Sequence, residues 1–215
     1  MKMILSQPHK RLFLAAILAL GIATGTQAQI GSGWTGYFDT HFIDYTKDGN
    51  HIHHDDVSFT DGGCYYNNSS GVRTFKLLDN TCNRIEVRSD EHYTSGKRQM
   101  QGYVKISDIS EQSIHQIFMN STGPIIMIKG YNGSGGTLKK QGGSVVIATG
   151  ISGVYVRYNC INDIGANSMK VYINGTLKWS GSSSPGSSFN NKYGLYGTKV
   201  TSNPTVQWKD IRFYK

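Results

Sequence analysis

From Gln29 onward the chain has almost no helical periodicity. Short runs rich in β-branched and aromatic residues recur instead, separated by clusters of Gly, Asn and Ser. A chain of this kind buries its apolar side chains by pairing strands into sheets and stacking the sheets. Strands are predicted at 34–40, 72–78, 83–89, 97–107, 113–119, 124–131, 137–141, 144–149, 154–163, 168–173, 176–180, 193–197 and 205–214. Asn174-Gly175, between two of these runs, tolerates the positive φ angles of a type I′ hairpin turn. So many antiparallel strands in one domain close most economically as two stacked sheets, an all-β sandwich of jelly-roll type. One sheet would curve into a groove, and the segments 132–136 and 181–188 could rim it.

Upstream, Lys2, Lys10 and Arg11 precede an apolar run from Leu12 to Ile22, and Thr26-Gln27-Ala28 closes the segment. This is the pattern of a signal peptide over residues 1–28, with an apolar run too short to span a bilayer. The expectation is a secreted, extracellular protein with one domain over residues 29–215. Cleavage removes three basic groups, so the formal charge falls from +8 to +5. A basic exported protein attracts polyanions, which outside the cell means acidic polysaccharide more than nucleic acid. The expected partner is therefore an acidic polysaccharide bound by a monomer, with no nucleic acid and no membrane. Three cysteines meet an oxidising compartment. Cys64 and Cys82 flank a hairpin-like stretch and are the expected pair, with Cys160 buried in an apolar strand. The other pairings stay open on sequence alone.

Three strands carry polar groups in patterns that suggest chemistry. In Arg84-Ile85-Glu86-Val87-Arg88, period-two alternation sends both arginines and Glu86 to one face and Ile85 and Val87 to the core. Arginine binds carboxylate as a bidentate fork, and the intervening glutamate can hold such side chains in place. In Ser113-Ile114-His115-Gln116-Ile117-Phe118, His115 and Gln116 point to opposite faces, so only one of them can reach a groove. In Lys192-Tyr193-Gly194-Leu195-Tyr196, Tyr196 lies opposite Tyr193 and Leu195.

These stretches resemble the signature strands of the jelly-roll polysaccharide lyases. In the alginate lyases of polysaccharide lyase family 7 the motifs are R-T/S-E-L-R, Q-I/V-H and Y-x-K-x-G-x-Y. Tyr93 to Gln99, Lys129-Gly130-Tyr131 and Tyr193 to Thr198 are more similar to the glucuronan lyases of family 20. The likeness covers residues 72 to 214. It departs from family 7 at Phe118, where the histidine of Q-I-H is missing, and at Asn190, which replaces the first tyrosine of the third motif.

The resemblance implies a concanavalin-like β-jelly-roll sandwich and an endo-acting lyase that cleaves a uronate polymer at O4 by β-elimination, glucuronan first and alginate or ulvan next. Arg84 and Gln116 would bind the carboxylate and stabilise charge as the C5 proton leaves. With Phe118 in place of histidine, the base would come from the early histidines His41, His51, His53 and His54, of which His53 is favoured. Tyr196 would donate to O4, and with its pKa lowered by a neighbouring Arg88 or Lys192 it could serve as the base as well, doing both jobs in a syn elimination. Glu86, Arg88, Lys129, Lys192 and His115 complete the expected substrate-binding set.

No cofactor is needed for this chemistry. Asp39, Asp44, Asp48 and Asp210 could gather round a structural Ca2+, with Asp39 and Asp210 as its metal residues. A sandwich-fold hydrolase would need paired carboxylates flanking the scissile bond, and the mature chain offers only Glu86, Glu91 and Glu111 as glutamates, without an E-x-D-x-x-E array. The remaining rival is a lectin or carbohydrate-binding module, which would use Trp34, Tyr103, Tyr131 and Tyr155 as aromatic platforms.

Overall fold

The computed structural model describes residues 30–37, 41–120, 122–199, 201 and 203–215. The expected signal peptide and Asp39 lie outside the described residues. In chain order the strands are β1 (Gly36–Tyr37), β2 (His41–Lys47), β3 (Asn50–His54), β4 (Phe59–Asp61), β5 (Cys64–Ser69), β6 (Val72–Leu77), β7 (Arg84–Ser89), β8 (Lys97–Ser107) and β9 (Ser110–Met119). They continue as β10 (Gly123–Tyr131), β11 (Thr137–Lys140), β12 (Val146–Thr149), β13 (Val156–Asp163), β14 (Ser168–Ile173), β15 (Thr176–Gly181), β16 (Phe189–Tyr196) and β17 (Thr205–Tyr214).

Two sheets result, the expected all-β jelly-roll sandwich. One has the order β12-β11-β10-β9-β16-β7-β2-β3 and the other β15-β14-β13-β8-β17-β6-β5-β4, with β1 added against β17. The last two strands enter the middle of the sheets: β16 lies between β9 and β7, and β17 between β8 and β6. Strands far apart in sequence thereby become neighbours at the centre of each sheet.

Period-two alternation places the core as expected on β7, where Ile85 and Val87 are buried between the sheets. On β8 the inward residues are Met100, Val104 and Ile106. Aromatic rings fill the space between the layers: Trp208 of β17 meets Tyr193 of β16, in the other sheet, at 5.8 Å, and Tyr158 of β13, in its own sheet, edge-on at 5.5 Å. The disulfide joins Cys64 to Cys82 across 5.2 Å between Cα atoms, and Cys160 is a buried free thiol. At the β14–β15 turn, Asn174 and Gly175 have φ of 50° and 84°, as the Asn-Gly signature requires.

The sequence reading missed β2 to β5 entirely. On β2 burial does not alternate, because Phe42, Asp44 and Thr46 lie on a face that is itself largely covered. A local signature was nonetheless present: Asp48-Gly49, with φ of 50° and 78°, turns β2 into β3 with Lys47 opposite Asn50.

Candidate active site

The outer face of the eight-stranded sheet is assembled by register. Lys192 lies opposite Gln116 on one side and Arg88 on the other, and Tyr196 lies opposite Arg84. Asp44 lies opposite Glu86, and Thr46 opposite His51. Side chains two residues apart on each strand share this face, so β9, β16, β7, β2 and β3 contribute Gln116, Lys192 and Tyr196, Arg84 and Glu86, Asp44, and His51 to one surface. Gly194 sits between Lys192 and Tyr196 with φ of 147°. A Cβ there would approach Ile85 O to 2.4 Å and Glu86 Cα to 2.7 Å, so only glycine lets β16 lie this close to β7.

Arg84, Gln116, Lys129 and Tyr196 line one cavity of about 850 Å³, together with Phe118, Met127, Tyr131, Glu111 and other residues. The Arg84 guanidinium stacks 4.4 Å from the Tyr196 ring centroid. Arg84 Nη1 donates to Asp44 Oδ2 at 3.3 Å, and Gln116 Nε2 donates to Glu86 Oε1 at 2.6 Å. Arg84 and Gln116 are therefore each oriented from behind by a buried carboxylate. Asp44 also receives Lys192 Nζ at 3.4 Å and lies 3.3 Å from His51 Nδ1. The His51 ring is 3.4 Å from Arg84 Nη1, and its side chain is 56% exposed. This arrangement is an aspartate–imidazole pair beside the guanidinium on which the phenol stacks.

Beneath the cavity, Asp44 and Glu86 balance Arg84 and Lys192, and Asp44, Glu86 and Lys192 are nearly inaccessible to solvent. Burial pushes the Asp44 carboxyl toward its neutral form, but Lys192, Arg84 and His51 outweigh this and hold its pKa below the usual value. For Glu86 burial prevails over Lys192 and Arg84, and its pKa is raised. Burial likewise lowers the pKa of Lys192 against the opposing pull of Glu86 and Asp44. A charge removed from water this completely persists only beside a partner, which is why these residues occur as a set.

Several expected site residues sit elsewhere than the sequence suggested. His115 is enclosed between the sheets, with Nδ1 2.9 Å from Tyr158 Oη and Nε2 3.4 Å from Asn191 Oδ1. It cannot meet a ligand on the outer face, because alternation gives that face to Gln116. Glu86 and Lys192 are buried beneath the cavity surface, where they hold Gln116 and Asp44. Tyr196 neighbours Arg84, whereas Arg88 packs its guanidinium 5.7 Å from the Phe42 ring. His53 also packs on Phe42, at 4.3 Å, and it is His51 that reaches Arg84 and Asp44. His41 belongs to a separate cluster, 2.7 Å from Asp56, and His54 stacks on Phe59.

Of the residues named for an ion, Asp39 lies outside the described residues. Asp44 is committed to Arg84, Lys192 and His51, while Asp210 lines a small cavity with Asn68, Gly71 and Arg73. Among the described residues no group of three or more His, Cys, Asp or Glu is placed to hold a metal. The segments 132–136 and 181–188 contribute none of the described residues that line the cavity.

The two departures from the family 7 motifs are cross-strand neighbours, Asn190 opposite Phe118. Replacing a histidine and a tyrosine at one spot leaves an apolar ring beside an amide. His92, which the sequence reading passed over, stands there with Nε2 3.1 Å from Asn190 Nδ2 and Nδ1 2.9 Å from Asn120 Nδ2. Asp44 was considered only as an ion ligand. Its place in the site becomes legible once β2 is recognised as the strand beside β7.

No family model matches the chain. Among curated proteins, the citrate-binding protein of Hevea brasiliensis is 28% identical over 148 residues, which are 66% of this chain and 60% of that protein. The chain thus spans less than two thirds of that relative's length. Among solved structures, the alginate lyase from Corynebacterium sp. superposes with a TM-score of 0.65 and 15% identity, over 82% of this chain and 94% of that one. A marine family 7 alginate lyase from Zobellia galactanivorans gives a TM-score of 0.63 and 16% identity, over 82% and 96%. At these identities the likeness is one of fold, the two-sheet jelly roll.

Proposed function

We propose that this protein is an exported polysaccharide lyase that binds a uronate polymer across the cavity face and cleaves it by β-elimination. The observation that carries this reading is the meeting of Arg84, Gln116 and Tyr196 in one cavity, with the phenol stacked on the guanidinium. Arg84 and the second amide N–H of Gln116 face the uronate carboxylate and stabilise the enolate-like charge that develops as C5 loses its proton. His51, whose Nδ1 lies beside Asp44 and Arg84, accepts that proton at Nε2. The electron pair of the C5–H bond forms the C4–C5 double bond, the C4–O4 bond breaks, and Tyr196 protonates the departing O4. Asp44 and Glu86 act through Arg84, His51 and Gln116 as positioning residues. Glucuronan is the first substrate by motif similarity, and alginate and ulvan follow.

The test is incubation with glucuronan, alginate and ulvan while following the ultraviolet absorbance of the unsaturated uronate. A rise on any one supports a lyase, and an early fall in viscosity supports endo cleavage. Reducing ends without absorbance would overturn elimination. A second reading, carboxylate binding without turnover, is favoured by the name of the Hevea relative. It predicts polymer or citrate binding with no absorbance change.

A further inference from the structure

The outer face of the nine-stranded sheet, opposite to the cavity, carries a different arrangement of charge. Outward positions on β8, β13 and β17 interleave cations with phenols. Arg157 lies opposite Tyr103, Tyr103 opposite Lys209, and Lys105 opposite Gln207. The ammonium groups of Lys105 and Lys209 stand 4.8 and 4.5 Å from the Tyr155 ring, and Lys209 also lies 5.5 Å from Tyr103. The pattern continues on β6 and β5, where Lys76 stands 5.0 Å from Tyr65. These side chains are half-buried, and the acidic residue at an outward position of β13, Asp163, lies at the far end of that strand opposite Lys97. The nearby Asp210 sits at the bulge in β17 and lines the cavity that holds Arg73.

We propose that this cationic face is a second, non-catalytic binding surface for an acidic polysaccharide chain. The charge argument comes first. The formal excess of positive charge is not in the catalytic floor, where Asp44 and Glu86 stand against Arg84 and Lys192, whereas among the described residues no Asp or Glu forms an ion pair with Lys105, Arg157 or Lys209. Sheet strands lie about 4.8 Å apart, so cations on successive strands present a line of positive groups to an extended polyanion. The aromatic arrangement then selects the polymer. The rings of Tyr155 and Tyr103 are already faced by ammonium groups, which leaves no open platform for a nucleobase. Phenol hydroxyls and ammonium groups stay available to sugar hydroxyls and carboxylates. The choice of a uronate chain as occupant rests on the reading of the cavity face, while the existence of a polyanion surface does not.

The experiment compares the wild type with the triple variant Lys105→Gln, Arg157→Gln, Lys209→Gln by affinity electrophoresis in gels containing alginate or glucuronan. Turnover of a short uronate oligosaccharide, which the cavity face alone can engage, is measured beside it. The expected result is roughly tenfold weaker polymer retention at low salt, a difference that shrinks as salt screens the charges, and unchanged oligosaccharide turnover. Unchanged retention would overturn the proposal. So would an equal loss on DNA or on phosphatidylserine vesicles, because the face would then be a nonspecific polyanion patch. Retention is read without catalysis, so a protein with no lyase activity still gives a decisive answer here.

Discussion

The two outer faces of this sandwich hold cations in opposite ways. On the cavity face, Lys192 is buried with Asp44 and Glu86, and these carboxylates balance it and the partly exposed Arg84 while holding Arg84 and Gln116 toward the cavity. On the back face, Lys105, Arg157 and Lys209 stand half-exposed among tyrosines, with no carboxylate ion-paired to them among the described residues. Burial accounts for the difference. A charge withdrawn from water needs a counter-charge and hydrogen bonds, and once held so it is pre-organised for catalysis. A charge left near water costs little, and it contributes long-range, salt-sensitive attraction. One face suits chemistry on a single sugar and the other suits capture of a chain.

The largest effect expected from this contrast is at Tyr196. Tyr196→Phe should lower the rate of unsaturated product formation by roughly 10³-fold while polymer retention persists, since only the proton transfer is lost. Full activity in this variant would remove the phenol from the mechanism.

Next comes the buried layer. Lys192→Met leaves Asp44 and Glu86 with Arg84 as their one remaining cation in this layer and should cost about 3 kcal/mol or more in urea denaturation, whereas Lys209→Met on the back face should cost under about 0.5 kcal/mol. Similar costs at both sites would abolish the distinction between the faces.

A third test concerns His115, whose pKa burial lowers to about 4. Between its ordinary value near 6.5 and that figure the unfolded chain binds the proton and the folded one does not. Stability should therefore fall on acidification across this window, by up to about 3 kcal/mol. In His115→Gln the melting temperature should vary less between pH 7 and pH 5 than in the wild type. An identical pH dependence in the two proteins would show that His115 does not titrate this way.

The smallest effect separates the two exposed histidines of β3. His51→Ala should reduce kcat about tenfold more than His53→Ala, because only His51 reaches Asp44 and Arg84. The reverse order would restore His53 as the base.

Much of the fold was legible because strand alternation and turn chemistry are local. The β14–β15 hairpin, the core face of β7 and the span of β8 all follow from patterns within a dozen residues. The site was legible only where its residues sit on such strands. Arg84, Gln116 and Tyr196 were found, while the Asp44–His51 pair was missed along with the strands that carry it. β2 holds buried polar groups, Asp44 and Thr46, on the face that ordinarily meets solvent, and β3 is mostly polar, so a search for alternating apolar residues passes over both.

By itself the order of residues determined which side of each regular strand faces inward, and hence that Gln116 and Tyr196 oppose His115 and Tyr193. Only the tertiary structure decided which strands lie side by side, placing β16 between β9 and β7 and bringing β2 and β3 against β7. Side-chain direction follows from local backbone geometry, but pairing between strands distant in sequence is settled by how two whole sheets bury their common core. That pairing, more than any single motif, puts a phenol, a guanidinium, an amide and an imidazole on one surface.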